Sequence, residues 1–190
     1  MKKLITVLFG LMIAGIQAQS PVENRESVKK DLLQNITTPL SGSNISIKEA
    51  DEALAFHNQA RKEVAVEPLL WSAEISGYAQ EWANNLAKNG CQLRHRSSAE
   101  NTKGYGENIA LRPSSSGSAT DASKAWYNEI SKFKNVVLDN TNWYAAGHYS
   151  QMIWRKTKKV GIGSAKCTNG YYIVVANYDP PGNYMGQKAY

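Results

Sequence analysis

Two glycines, Gly161 and Gly163, stand two residues apart in a segment, Val160 to Lys166, that otherwise reads as a β-strand. Residues at i and i+2 share one strand face, so both glycines lie on the same face. Glycine weakens a strand unless something must approach its backbone closely. A second β-rich run, Tyr171 to Tyr178, follows Asn169-Gly170, a strong hairpin turn pair. The C-terminal part of the chain is therefore committed to an antiparallel hairpin, closed by Asp179-Pro180-Pro181-Gly182.

Upstream, the periodicity changes to helical. Ser46 with Glu49 makes a capping box, opening a helix from about Ile47 to Val64 with Pro68 beyond it. Ser72 caps a second helix carrying Ile75, Ala79, Trp82 and Leu86 on one face, and Gly90 ends it. Gly104 to Ala110 leads into a short strand, and Thr120 to Phe133 reads as a third helix. A short fourth helix starts at Gly147-His148-Tyr149. Helices with a small antiparallel sheet make the fold class α+β.

The first residues stand apart. Met1-Lys2-Lys3 is a basic start, Leu4 to Ile16 is apolar, and Ala18 offers a small residue at a cleavage point. This is a signal-peptide pattern over 1–18, and the apolar run is shorter than the roughly 20 residues that span a bilayer. Residues 19–45, ending in the polar stretch Thr37 to Asn44, read as a linker, and 46–190 as one domain. With 190 residues, 42% of them hydrophobic, the chain can bury a real core. Loss of Lys2 and Lys3 lowers the formal charge from +6 to +4, a mild basicity that favours acidic surfaces without demanding them. The cluster Arg155, Lys156, Lys158 and Lys159 reads as a solvated helix end, with anionic glycans or phosphates as the alternative. Export and an even count of two cysteines, Cys91 and Cys167, point to a disulfide. Closing so long a loop is worth roughly 4 kcal/mol in the chain-entropy model.

Three residues do not fit a bland core. Glu129 is spaced to share a helix face with Trp126 and Phe133, and a carboxylate on an apolar stripe must find a partner. Glu107 sits between Gly106 and Asn108, where a flanking glycine admits close approach of backbone or ligand. His148 opens a helix, where the dipole favours a neutral ring able to bind a metal or act as a base. There is no His-Glu-x-x-His zinc helix and no Gly-x-Ser-x-Gly elbow.

The stretches Gly147 to Arg155 (GHYSQMIWR), Tyr105 to Ala110 (YGENIA), Trp126 to Glu129 and Asn177 to Tyr190 together resemble the CAP superfamily. Its namesakes are cysteine-rich secretory proteins, antigen 5 and pathogenesis-related protein 1, and the likeness is strongest to the last branch. His57-Asn58 with Arg61 resembles the family's opening motif, a structural one. The resemblance implies a three-layer α-β-α sandwich and a cleft faced by His95, Glu107, Glu129 and His148. His95 and His148 would hold a zinc or another divalent ion weakly, with the two glutamates accepting their remaining ring N–H groups. It implies a bond between Cys91 and Cys167, and places the halves of a second family bridge on Ile162 and Ala176, paired across the hairpin. The function implied is that of a secreted protein, periplasmic if bacterial, and monomeric. Its partner would be a small molecule, a sterol or lipid, or an extracellular protein or glycan, but no nucleic acid. The alternatives are an interaction module whose four residues are only a polar network, and a metal-assisted hydrolase. The segment to Tyr190 resembles a C-terminal peptide that plant relatives release, which implies an exposed tail, with Ala189 in place of the usual proline.

Overall fold

The computed structural model describes residues 41–190. The expected signal peptide and residues 19–40 of the expected linker lie outside the described residues. In chain order the elements are α1 (Ile47–Glu63), β1 (Leu70–Trp71), α2 (Ala73–Lys88), β2 (Gly106–Arg112), α3 (Ala119–Tyr127), α4 (Gly147–Met152), β3 (Lys159–Lys166) and β4 (Tyr172–Asp179). The strands form one sheet in the order β1-β3-β4-β2. β4 pairs antiparallel with β3 and with β2, and β1 runs parallel to β3. Ile162 stands opposite Ala176, the expected pairing.

Strand alternation divides the core in two. Val160, Ile162, Val174, Ala176 and Tyr178 pack with residues of α1, α3 and α4 on one side of the sheet. Ile173, Val175 and Ala165 pack with Ala79, Trp82, Ala83 and Leu86 of α2 on the other. The result is an α-β-α sandwich. Gly161 and Gly163 face α2, and a Cβ added at either would collide with helix backbone, at Ser76 and Gln80 respectively. The close approach that the glycines implied is thus helix against sheet.

Side chains anchor the helices to one another. Ser46 Oγ accepts the Glu49 N–H (3.2 Å) at the start of α1. The Glu49 carboxylate is not turned back into a capping box; it accepts the Ala119 N–H (2.6 Å) at the start of α3. α2 matches its expected span and buried face. The third helix does not: α3 stops at Tyr127 and the chain tightens into a 3₁₀ turn over Asn128–Lys132.

Two further expectations need correction. Residues 41–45 are built into the domain and do not behave as linker. Ser43 Oγ donates to the Ile162 carbonyl (2.8 Å), and Trp71 Nε1 donates to the Ser41 carbonyl (2.9 Å). The C-terminal segment is not an exposed tail. Ala189 is buried, the Arg155 N–H donates to its carbonyl (2.8 Å), and Leu138 N–H donates to Gln187 O (2.9 Å). β1 went unread in the sequence, since it is only two residues long, too short to leave any alternation. Cys91 and Cys167 are bonded, with Cα atoms 5.9 Å apart. Among the described residues no helix is long and apolar enough to cross a membrane.

Candidate functional site

The motif on α1 builds the floor beneath the site. His57 is fully buried, with Nδ1 2.9 Å from the Ala53 carbonyl and Nε2 2.9 Å from Tyr178 Oη. The carbonyl can only accept, so Nδ1 carries the proton and Nε2 accepts from the tyrosine hydroxyl. Asn108 Nδ2 donates to Tyr178 Oη (3.1 Å) and to the His148 carbonyl (3.0 Å). A continuous hydrogen-bonded chain thus runs from the core of α1 to the backbone of His148. Asn58 clamps Leu69 by both its carbonyl (3.1 Å) and its N–H (2.7 Å).

Above this floor stand two histidine–glutamate pairs. His148 Nδ1 lies 2.7 Å from Glu129 Oε1, and the other carboxylate oxygen accepts the N–H groups of His148 (2.9 Å) and Tyr149 (3.2 Å). Ala146, which precedes α4, offers no capping side chain, so Glu129 caps that helix from across the fold. The glutamate reaches it from the 3₁₀ turn, not from the α-helical stripe with Trp126 and Phe133 that its spacing implied. The His148 ring stacks on Trp126, centroids 6.3 Å apart. In the second pair, His95 Nδ1 lies 2.9 Å from Glu107 Oε1, which also accepts the Arg96 N–H (3.1 Å). Glu107 Oε2 faces the Arg96 guanidinium at 3.3 Å and Asn177 Nδ2 at 3.5 Å.

His95, Glu107 and His148 line one cleft of about 480 Å³, with Arg96, Asn101, Asn108, Trp143, Tyr144, Gly147 and Asn183. Glu129 stands behind His148 and is not among the lining residues. Each carboxylate takes the Nδ1–H of its histidine. In the neutral rings this leaves Nε2 as the lone-pair nitrogen, and neither Nε2 has a hydrogen-bond partner among the described residues. Both glutamates are engaged by several donors. Among the described residues, no three His, Cys, Asp or Glu side chains converge as a metal-holding group.

Sequence reasoning missed Arg96, Asn101, Asn177, Trp143, Tyr144 and Asn183. Asn183 fixes α4, donating to the Gly147 carbonyl (2.7 Å) and accepting from Ser150 Oγ (2.7 Å). It lies in the quoted C-terminal motif, which was the available signal. The close approach expected at Gly106 is internal, because a side chain there would collide with Gln151 and not with a ligand.

Burial raises the Glu129 pKa, but the hydrogen bond and charge of His148, with the backbone N–H groups, outweigh it and hold the carboxyl below its usual range. Burial, partly offset by the Ala53 carbonyl and reinforced by the Arg61 charge, lowers His57 from 6.5 to about 4. Unfolded chains protonate His57 near 6.5 while the folded chain does not until about 4. In that window the unfolded state binds the extra proton, so stability present above 6.5 is lost as pH falls, by about 3 kcal/mol. The Glu129 contribution, present above its unfolded pKa of 4.5, is lost at lower pH still. Urea unfolding followed from neutral pH to about pH 4 should show this decline, and His57→Gln should flatten the upper part of it. A wild-type midpoint that does not move across the window contradicts the assignment.

Residues 54–178 match the family model described as CAP, the cysteine-rich secretory protein family. The chain is 38% identical over 134 residues to pathogenesis-related protein 1A of Nicotiana tabacum, covering 70% of this chain and 76% of that one. It is also 38% identical over 134 residues to pathogenesis-related protein 1 of Arabidopsis thaliana, covering 70% and 78%. The crystal structure of NaASP2 with Zn2+ superposes with a TM-score of 0.68 at 28% identity, covering 80% of this chain and 89% of that one.

Proposed function

The chain belongs to the CAP family of cysteine-rich secretory proteins, in its pathogenesis-related protein 1 branch, and from that premise we propose that it is a secreted protein whose cleft binds a divalent cation such as zinc. The ligands are His95 and His148 through Nε2. One observation carries this reading: two histidines of one cleft each give Nδ1–H to a carboxylate and keep Nε2 unpartnered. That is the carboxylate–histidine arrangement in which an outer partner fixes the tautomer of a metal ligand. A relative solved with Zn2+ is consistent with it. Two protein ligands fall short of the four that zinc prefers, so the ion is held weakly and exchanges. When bound, it supplies Lewis acidity. The disulfide and the signal-like start of the chain support action outside the cell, or in the periplasm of a bacterium.

Calorimetry with zinc chloride tests the ligand set. His148→Ala should lower zinc affinity at least about tenfold, the scale of one lost ligand contact, and leave the melting temperature within a few degrees. A folded His148→Ala protein with wild-type zinc affinity would end the metal reading and leave the polar-network reading in its place.

A further inference from the structure

We propose that Arg96, which lies outside the four-residue set, sets the cation affinity of the cleft by withholding Glu107 from it. The proposal rests on the metal-binding reading above and concerns how strongly that site can bind.

Arg96 is placed with unusual completeness for a loop residue. Its guanidinium carbon lies 3.7 Å from the centroid of the Tyr78 ring and 5.0 Å from that of Trp82. Nη2 donates to the Tyr78 carbonyl (2.6 Å), and Nη1 donates to Glu107 Oε2 (3.3 Å) and Asn177 Oδ1 (3.4 Å). The side chains of Arg96 and Glu107 are only 5% and 7% exposed, so water does little to screen the pair. The guanidinium therefore acts twice on Glu107. It cancels the negative charge that would otherwise face the histidines, and it occupies Oε2, the oxygen not engaged by His95.

The other half of the cleft is built differently. Glu129 is held by two backbone N–H groups of α4 and by His148, with no arginine or lysine within ion-pair distance among the described residues. Its charge is not cancelled by a neighbouring cation, but it stands behind the cleft wall. Glu107 lines the same cleft as both histidines, and a carboxylate is a competent zinc ligand. It is absent from the ligand set because of Arg96. Arginine suits this role better than lysine, since its planar group stays charged, stacks on aromatic faces and donates in several directions.

The test is a double-mutant cycle read by zinc calorimetry, with the metal alone as probe and thermal melting as the check on folding. Arg96→Met keeps the length and apolar packing against Tyr78 and Trp82 while removing the cation from Glu107 Oε2; His95 and the backbone N–H of residue 96 still hold Oε1. It should bind zinc about tenfold more tightly than wild type, the order expected when a carboxylate beside a cation loses its competing partner. In a Glu107→Gln background the same Arg96→Met change should give no gain. Arg96→Lys, which keeps the charge and loses the planar group, should fall between wild type and Arg96→Met. It serves as the readout if Arg96→Met does not fold. A role confined to holding the loop predicts the reverse, weaker zinc in both Arg96 variants. Wild-type or weaker affinity in a folded Arg96 variant overturns the proposal, as does a gain that persists with Gln at 107. If wild type binds zinc and the Arg96 variants match it, only the role of Arg96 fails. If no variant binds zinc, the metal reading itself fails.

Discussion

Arg61→Met is expected to destabilise the domain by about 3–5 kcal/mol, the range for removing one partner from a buried charged network. Arg61 is fully buried on α1. Its guanidinium donates to four carbonyls: Glu67 (2.6 Å), Met152 (2.9 Å), Trp154 (3.0 Å) and Thr157 (3.0 Å). Burial lowers its pKa from 12.5 to about 10, which still leaves it charged at neutral pH. No carboxylate lies within ion-pair distance among the described residues, so the carbonyl dipoles carry the whole task of solvating the cation. Three of them belong to the segment that leaves α4 and leads into β3. Methionine fills the volume but leaves these oxygens dry, and each unsatisfied buried acceptor costs about 1–3 kcal/mol. Because small domains are stable by only about 5–15 kcal/mol, the variant should melt far below wild type. Denaturant unfolding measures this, and a loss below about 1 kcal/mol would mean that water replaces the guanidinium without cost.

Gly163→Val should be more damaging still, leaving little folded protein. The Cβ alone would lie in the backbone of α2, against the nitrogen and Cα of Gln80 and 2.8 Å from the Ala79 carbonyl carbon. These are main-chain atoms inside a helix and cannot rotate away. Relief requires lifting α2 from β3, which opens the core of Trp82, Leu86, Ile173 and Val175. Ordinary overpacking costs about 1–3 kcal/mol, and a backbone collision exceeds it. Soluble yield and circular dichroism after expression decide the matter. A folded Gly163→Val protein with a melting temperature near wild type would show that helix and sheet do not pack as described.

These two positions also show what was legible in the sequence. The glycine pair was readable because its cost on a strand demands a close neighbour, although which neighbour could not be known until α2 was placed. The hairpin and the span of α2 were readable because turn chemistry and periodicity are local, whereas the pairing of Ile162 with Ala176 was implied by the family resemblance. Arg61 was readable only as part of a motif, since nothing local announces that four carbonyls converge on it from 6 to 96 residues away. Glu129 shows where periodicity misleads. Its spacing from Trp126 and Phe133 fits an α-helix, but the helix ends at Tyr127, and the tighter turn sends the carboxylate to the uncapped start of α4. Arg96 escaped notice because its significance lies in contacts to Tyr78, Glu107 and Asn177, which are distant in sequence. The C-terminal segment was misjudged because resemblance speaks to motif and not to burial.

The central claim is that His95 and His148 offer Nε2 to one divalent ion across the cleft. The most direct measurement is anomalous diffraction at the zinc edge from crystals grown near neutral pH with zinc. The account predicts one peak in the cleft, within about 2.0–2.1 Å of both Nε2 atoms, with Glu107 and Glu129 still on the Nδ1 sides. A cleft without a peak, or zinc bound through the carboxylates while the two Nε2 atoms stay free, would contradict it.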